Sequence, residues 1–188
     1  MTQSLKKSRP LQGLLALSTL VLLGAAGVRT VQAANTDSAT ATAIVLTPIA
    51  IAKNADLSFG NVVAGNGDVT LTTSGNRSAS GGTGLSSGGS PAAAHFTVTG
   101  TGSNTFSIDY TGSSSVLTSG SDTMSVLWIS EVAATATPTN YGTTGANPTT
   151  GTLASGTAHI YVGGKLTVGS PQPAGTYTGT VQLTVAYN

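Results

Sequence analysis

Few side chains in this sequence are of the types that bind metals or move protons, and they are widely spaced. The two histidines, His95 and His159, are distant in sequence, and each alternates with apolar residues, so we expect both to point outward or to lie at a sheet rim. A zinc or calcium site needs several ligands close together. The acids, by contrast, are isolated: Asp56, Asp68, Asp109, Asp122 and Glu131. We therefore expect no metal and no cofactor.

One string, residues 84–88, matches the G-x-S-x-G pattern of serine hydrolases and is centred on Ser86. In those enzymes the serine lies on a strained strand-to-helix turn, beside an imidazole base and an oxyanion hole. Here the string lies inside a Gly/Ser-rich tract, residues 74–91, and no helical pattern follows it. We expect no catalytic residue, and the sequence gives little support to a secreted hydrolase.

Two aromatic residues are candidates for ligand binding, because the flat faces of such rings stack against sugars and their polar atoms form hydrogen bonds. Tyr141 stands alone in a polar stretch, and Trp128 is the only tryptophan of the chain. Ordinary packing in a loop or at the rim of the core is the competing interpretation for both. The alternative function that they suggest is a monomeric β-sandwich module that binds a glycan or another surface ligand.

The clearest structural pattern is the last stretch of the chain, residues 175–188, in which large apolar and polar residues alternate. This period of two predicts a β-strand with one face in a core. Each large apolar side chain contributes about 1.5–3 kcal/mol when it is fully buried. The apolar side comprises Tyr177, Val181, Leu183, Val185 and Tyr187, and the polar side comprises Thr176, Thr178, Thr180, Gln182 and Thr184.

Short β-prone segments separated by Gly, Pro, Asn and Ser recur along the rest of the chain, and no segment has a helical period. Asn66-Gly67 predicts a hairpin between strands at 56–63 and 69–72, and the tract 74–91 predicts a flexible loop or a ragged edge. Further strands are expected at residues 95–99, 105–110, 115–118, 124–129, 159–162 and 166–168. This pattern predicts an all-β fold, an antiparallel β-sandwich with an immunoglobulin- or pilin-like Greek key.

The first 33 residues resemble a signal peptide, with a basic start, an apolar run from Leu11 to Val28 and the small-residue pattern Val31-Gln32-Ala33. Residues 34–188 are the size of one domain. They retain three basic and six acidic residues, a net charge of three minus six, or −3. This balance argues against nucleic acid as a partner, and no membrane span is expected after removal of the signal peptide. Export also implies a location in the periplasm, at the cell surface or outside the cell.

A family resemblance rests on both ends of this region. Residues 40–44 (Thr-Ala-Thr-Ala-Ile), residues 56–60 (Asp-Leu-Ser-Phe-Gly) and a final strand with Gly175 and a penultimate Tyr187 resemble a family of secreted bacterial Gly/Thr/Ala-rich β-proteins of unknown function. That family resembles spore-coat-U-type and chaperone–usher pilin subunits. In such pilins a glycine fourteenth from the end and a penultimate aromatic residue mark the strand that a periplasmic chaperone captures. Many of these subunits carry a disulfide, whereas this chain has no cysteine.

The resemblance implies assembly by strand donation, in which the missing strand of one subunit is supplied by a chaperone and then by the N-terminal extension of the next subunit. The assembly strand would be residues 175–187, and the candidate donor lies within residues 34–53, with Thr40, Thr42, Ile44 and Leu46 on one face. Pairing of this segment within its own chain is the open alternative. We expect a secreted or surface-associated structural subunit, fimbria- or coat-like, with copies of itself or related subunits and a periplasmic chaperone as partners.

Overall fold

The computed structural model describes residues 34–142 and 147–188, so the predicted signal peptide lies outside the described residues. The chain divides into two compact units, Met1–Thr42 and Ala43–Asn188, and every strand below belongs to the second. Among the described residues there is no helix, and therefore none long and apolar enough to cross a membrane. The predicted all-β class is confirmed.

The described residues of the second unit form twelve strands, and all of the pairings between them are antiparallel. They are β1 (Ala50–Ala55), β2 (Val62–Val63), β3 (Gly67–Leu71), β4 (Arg77–Ala79), β5 (Gly84–Leu85), β6 (Ala94–Thr99), β7 (Thr105–Asp109), β8 (Val116–Ser119), β9 (Asp122–Ala133), β10 (Thr150–Thr152), β11 (Thr157–Val168) and β12 (Thr184–Tyr187).

The long strand β11 is the centre of a seven-stranded sheet. On one side it pairs with β9 along most of its length, and on the other it pairs first with β6 and then with β3. Strand β1 extends this sheet beyond β6, β4 extends it beyond β3, and β8 extends it beyond β9. A second sheet has three strands in the order β10-β7-β12, and β2 pairs with β5 as a small separate ladder.

The prediction of two strands separated by Gly163-Gly164 is wrong, because β11 runs through both glycines without a turn. A Cβ atom on Gly163 would lie 2.2 Å from the carbonyl oxygen of Leu71, and one on Gly164 would lie 3.1 Å from the ring of Phe59. These glycines permit close approach of a neighbouring backbone and ring, a use of glycine in strands that sequence alone does not distinguish from a turn.

The hairpin predicted at Asn66-Gly67 is also wrong. Strand β2 pairs with β5 and β3 pairs with β4, so residues 62–71 and 77–85 form the two arms of one irregular hairpin. The chain reverses at Thr72–Asn76, where the Asn76 carbonyl accepts a hydrogen bond of 2.8 Å from the Thr72 N–H. The Gly/Ser-rich tract predicted to be a flexible loop or a ragged edge therefore contains β5 and also β4, which lies at the edge of its sheet.

The core consists of two adjoining clusters of apolar side chains, and both Leu57 and Trp128 pack against each of them. The first cluster joins the faces of the two larger sheets around β6, β7 and the start of β11, with Phe106, Val98 and Ile160 fully buried. The second lies around β3, β8, β9 and the end of β11. The alternation of buried and exposed residues along β6, β7 and the first half of β9 is the period of two expected of half-buried strands.

Neither end of the chain forms the long strand that the sequence suggested. Residues 40–47 are exposed and have no strand structure, although β1 follows shortly after Pro48. In the terminal stretch only Thr184–Tyr187 is a regular strand, and Thr178 adds an isolated bridge to Thr118. The intervening residues pair with β8 and the loop before it partly through serine side chains, which breaks the regular ladder.

Candidate functional site

The terminal segment, residues 175–187, contacts the body of the protein along one backbone edge. Strand β12 pairs with β7, so that Val185 lies opposite Ile108. Further back, Thr178 exchanges two backbone hydrogen bonds of 2.9 Å with Thr118. The Thr180 carbonyl accepts a bond from the Ser114 N–H, and the Gln182 N–H donates one of 2.9 Å to the Ser113 hydroxyl. The even-numbered residues supply all of these bonds.

The odd-numbered residues of the terminal segment point their side chains toward the core and their backbone groups toward the opposite edge of the segment. Their side chains are half-buried against the core, as the apolar side of the sequence pattern predicted: Tyr177, Val181, Leu183, Val185 and Tyr187. Because successive backbone groups of an extended chain alternate in direction, the N–H and C=O groups of these residues face the other edge. Within the described part of the chain, no hydrogen bond reaches the backbone of Tyr177, Gly179 or Val181. This stretch is therefore an edge with unpaired backbone groups.

Beside this edge lies a groove with a volume of about 920 Å³. One wall is the stretch Lys53–Val62, and the other is the stretch from Gln172 to Val181. The groove reaches down to core side chains, and the residues that form its floor are Phe59, Ala94, Phe96, Leu117, Met124, Trp128, Leu166 and Val168. Apolar core surface therefore opens directly next to the unpaired strand edge.

Two glycines set the distance between the terminal segment and β8. A Cβ atom on Gly175 would lie 2.5 Å from the hydroxyl oxygen of Ser119, and one on Gly179 would lie 2.6 Å from a methyl carbon of Leu117. Glycine at both positions thus lets the groove wall lie close to β8. For Gly175, which the sequence marked as part of the assembly strand, this contact is a physical reason for a glycine.

Arg77 fixes the other wall of the groove. Its guanidinium group donates hydrogen bonds to three backbone carbonyls, those of Phe59 at 2.6 Å, Asn61 at 2.8 Å and Ser86 at 2.9 Å. Gly60, between the first two, has a φ of +68°, and a Cβ there would lie 2.7 Å from the guanidinium. Sequence reasoning missed this role. The available signal was a single charged residue in a tract made mostly of Gly and Ser.

Polar groups line the rim of the groove. Lys53 forms an exposed ion pair with Asp56 at one wall. At the other, the Tyr177 hydroxyl accepts a hydrogen bond of 2.8 Å from the Gln172 amide and donates one of 2.9 Å to the Pro173 carbonyl. These contacts hold the ring of Tyr177 over the second core cluster. The rim is polar and the floor apolar, an arrangement typical of a binding groove.

The candidate donor residues Thr40, Thr42, Ile44 and Leu46 are all exposed. Ile44 is 88% exposed and its neighbour Val45 is 93% exposed, which is unusual for large apolar side chains. Thr47, which follows the candidate donor residues, forms two hydrogen bonds with other parts of the second unit. Its N–H donates a hydrogen bond of 2.7 Å to the Thr101 hydroxyl, and its carbonyl accepts one of 2.9 Å from the Tyr187 hydroxyl.

The two aromatic ligand candidates occupy different places. Trp128 is half-buried in the groove floor, and its indole N–H donates a hydrogen bond of 2.9 Å to the Ser114 carbonyl. Tyr141 is half-buried outside the groove lining, where its backbone forms hydrogen bonds of 3.0 Å and 2.9 Å with the N–H and the hydroxyl of Thr73. The structure therefore does not bring the two rings into one binding site.

The structure brings His95 and His159 together, although they are far apart in sequence. Nε2 of His95 lies 3.1 Å from Nδ1 of His159, because β6 and β11 are neighbouring strands. Both were correctly placed in strands with side chains away from the core face. Their contact depends on strand order, which the sequence did not reveal. Among the described residues, no three His, Cys, Asp or Glu side chains group together as a metal-binding cluster.

One family comparison identifies the chain, whereas neither a curated protein nor a solved structure matches it. The matching family model covers residues 49–187, which include both walls of the groove and every strand described above. It starts after the candidate donor residues and ends at Tyr187. The chain therefore belongs to the family described as a domain of unknown function, DUF4402.

Proposed function

We propose that this protein is a secreted or surface-associated bacterial structural subunit, fimbria- or coat-like, that assembles with further copies of itself by β-strand pairing. The observation that carries the proposal is the apolar groove beside the unpaired edge of the terminal segment. In this proposal the occupant of the groove is the N-terminal segment of a second copy, residues 40–46. The proposed fold of the assembled unit is an antiparallel β-sandwich closed by that added strand.

The groove has the two features that strand addition requires. Backbone N–H and C=O groups of Tyr177, Gly179 and Val181 supply a ladder edge, and the floor supplies pockets for alternate side chains. An edge of this kind next to exposed core surface favours aggregation unless another strand or a covering segment occupies it. An incoming strand that pairs specifically with this edge forms an interface and leaves the edge unavailable for aggregation.

The N-terminal segment suits the groove in chemistry and in length. No charged residue occurs between Asp37 and Lys53, so the segment enters an apolar groove without burying a charge. Seven extended residues span about 23 Å, which is longer than the five residues from Tyr177 to Val181 that carry the unpaired edge. In a strand, Ile44 and Leu46 point to one face and Val45 points to the other.

A second copy is favoured as the occupant because the segment's own chain does not cover it. Ile44 and Val45 are almost fully exposed, and the segment forms no strand pairing within the described residues. Docking into a neighbouring groove would bury about 100 Å² or more of apolar side-chain surface for Ile44 alone, worth roughly 2.5 kcal/mol. A periplasmic chaperone that inserts its own strand before assembly is the expected earlier occupant.

A peptide-binding experiment tests this proposal. A fluorescent peptide of residues 38–47 is titrated against protein that lacks residues 34–47, and anisotropy reports binding. The native peptide should bind. The peptide with Ile44→Asp should lose most of its affinity, whereas the peptide with Val45→Asp, which places the same charge on the opposite face, should bind nearly as well.

Oligomeric state provides the second arm of the experiment. Protein with an intact N-terminal segment should form concentration-dependent oligomers in light scattering, and deletion of residues 34–47 should leave monomers. Monomers in both cases, together with no peptide binding, would exclude assembly through this segment. Binding of both aspartate peptides with equal affinity would exclude the proposed register.

A further inference from the structure

The paired histidines form a site that the proposed assembly does not use. His95 and His159 lie on neighbouring strands at diagonal positions, because His95 pairs with Tyr161 and Thr97 pairs with His159. The facing nitrogens, Nε2 of His95 and Nδ1 of His159, are 3.1 Å apart. Both side chains are half-buried, and neither lines the groove.

The position of the His95 ring is fixed by its neighbours. The ring stacks on Tyr161 with 4.4 Å between ring centroids and 7° between the planes. The hydroxyl of Thr97 lies 3.5 Å from Nδ1 of His159 and donates a hydrogen bond of 2.8 Å to Oδ1 of Asn54. Both imidazoles are therefore held on rigid strands, which reduces the conformational entropy lost when a ligand joins them.

We propose that His95 and His159 bind one divalent transition-metal cation, such as Cu²⁺ or Zn²⁺, through Nε2 and Nδ1. Two nitrogens on a tetrahedral ion at the usual metal–nitrogen distance are about 3.3 Å apart, close to the separation seen here. Imidazole nitrogen is a preferred ligand for these ions, and Cu²⁺ binds nitrogen sites most strongly in the divalent series. The remaining coordination positions are open to water.

The hydrogen bond between the two rings marks where the cation would lie. One of the facing nitrogens carries the proton of this hydrogen bond, and the other accepts it. When a cation takes the place of that proton, the donating ring moves the proton to its other nitrogen through solvent, so that both facing nitrogens present a lone pair to the cation.

Glu131 does not supply a further ligand to the site. It lies across from Tyr161 on β9. Its carboxylate already accepts hydrogen bonds from the N–H and the hydroxyl of Thr139. The site is thus a two-histidine site. It is expected to be weaker than a structural zinc centre, which has four ligands from the protein.

Copper titration followed by electron paramagnetic resonance tests the site in protein made from the full 188-residue chain. His95 and His159 are the only histidines of the chain, so every imidazole signal comes from this pair. At pH 7.5 we expect one Cu²⁺ per chain with a Kd below about 100 µM. Its spectrum should show hyperfine coupling to two imidazole nitrogens. His95→Gln and His159→Gln should each weaken binding by about tenfold or more and reduce the coupling to one nitrogen.

Two controls separate this site from other binding. Thr99→Gln changes an exposed residue on the same strand, β6, and should leave the titration unchanged. Zn²⁺ should shift the histidine side-chain resonances in nuclear magnetic resonance spectra of the parent protein. Copper binding that persists in the double histidine variant would place the ion elsewhere, for example at the amino terminus, and would overturn the proposal. Absence of any binding below about 1 mM would do the same.

Discussion

The hydroxyl group of Tyr187 donates a hydrogen bond of 2.9 Å to the backbone carbonyl of Thr47, which ties the last strand to the point where the N-terminal segment leaves the body. The same hydroxyl accepts a bond of 2.7 Å from the Thr101 N–H. A Cβ on the adjacent Gly100 would lie 2.3 Å from that hydroxyl, so a glycine there makes room for the tyrosine. Tyr187 thus connects β12 with Thr47 and with the loop at Thr101.

Tyr187→Phe removes both hydrogen bonds but keeps the ring. Because the Thr101 N–H and the Thr47 carbonyl each lose a partner, we expect the free energy of unfolding to fall by about 1–2 kcal/mol. Urea denaturation measures this loss. Hydrogen exchange should speed up at residues 47–51. Unchanged exchange there would mean that the Tyr187 hydroxyl does not hold the segment in place.

Val181→Pro tests the free edge of the terminal segment. This N–H has no partner among the described residues and faces the groove side, so its loss should cost little in folding but should remove a donor for an incoming strand. The prediction is a folded protein with at least about tenfold weaker binding of the 38–47 peptide, equivalent to about 1.4 kcal/mol. Val181→Ala trims the side chain and keeps the N–H, so it is the matched control. Equal binding by both variants would show that the backbone edge is not used.

Arg77→Met should loosen the groove wall at residues 59–61. The guanidinium group donates to three carbonyls, and hydrogen bonds of charged groups contribute about 1.5–3 kcal/mol. We expect a stability loss of about 2 kcal/mol and faster hydrogen exchange at residues 58–62. Arg77→Lys should recover only part of the stability, because an ammonium group lacks the planar set of donors. Full recovery by lysine would indicate that charge alone matters.

Gly163→Ala should destabilise the centre of the seven-stranded sheet. The added Cβ would lie 2.2 Å from the carbonyl oxygen of Leu71, a backbone atom that cannot move away without shifting β3. We expect a loss of about 3 kcal/mol or more in thermal or urea denaturation. An exposed glycine with open space around it, Gly102, has a positive φ of 57°, so Gly102→Asn is a mild comparison. A loss below about 1 kcal/mol for Gly163→Ala would contradict the close approach.

Asp68 gives the domain a defined pH dependence. Hydrogen bonds from Lys165 and then from Thr167 lower the pKa of its carboxyl group in the folded protein. Because folding lowers this pKa, the ionised carboxylate of Asp68 contributes to the free energy of unfolding. The contribution is complete above the unfolded-state pKa of about 3.9 and is lost as pH falls through the folded-state pKa.

The matching variant is Asp68→Asn, which removes the charge but preserves the shape. It should be less stable than the parent by about 0.5–1 kcal/mol at pH 7, and the difference should shrink below about pH 3. Urea denaturation at a series of pH values measures both. The ion pair Lys165–Asp68 is partly exposed, so high salt should also reduce the difference. A difference that stayed constant with pH would exclude this origin.

Local patterns in the sequence were sufficient for the class of the fold and for most of the strands. Period-two alternation located β6, β7, β8 and β9 within a few residues, and it correctly separated the half-buried from the exposed residues of the terminal segment. The physical reason is that the alternation of side-chain direction is a local property of an extended chain. Glycine was misleading at Gly163-Gly164 and at Asn66-Gly67, because there it permits close packing or lies within one arm of an irregular hairpin.

The sequence by itself determined that this chain is all-β, which residues of its last segment face a core, and that its N-terminal segment is uncharged and apolar enough to serve as a strand. Only the tertiary structure decided which edges pair and which stay open. It joined Arg77 to the wall of the groove, His95 to His159, and Tyr187 to Thr47. These contacts depend on strand order and on close backbone approach between distant residues, and neither is encoded in any local period of the sequence.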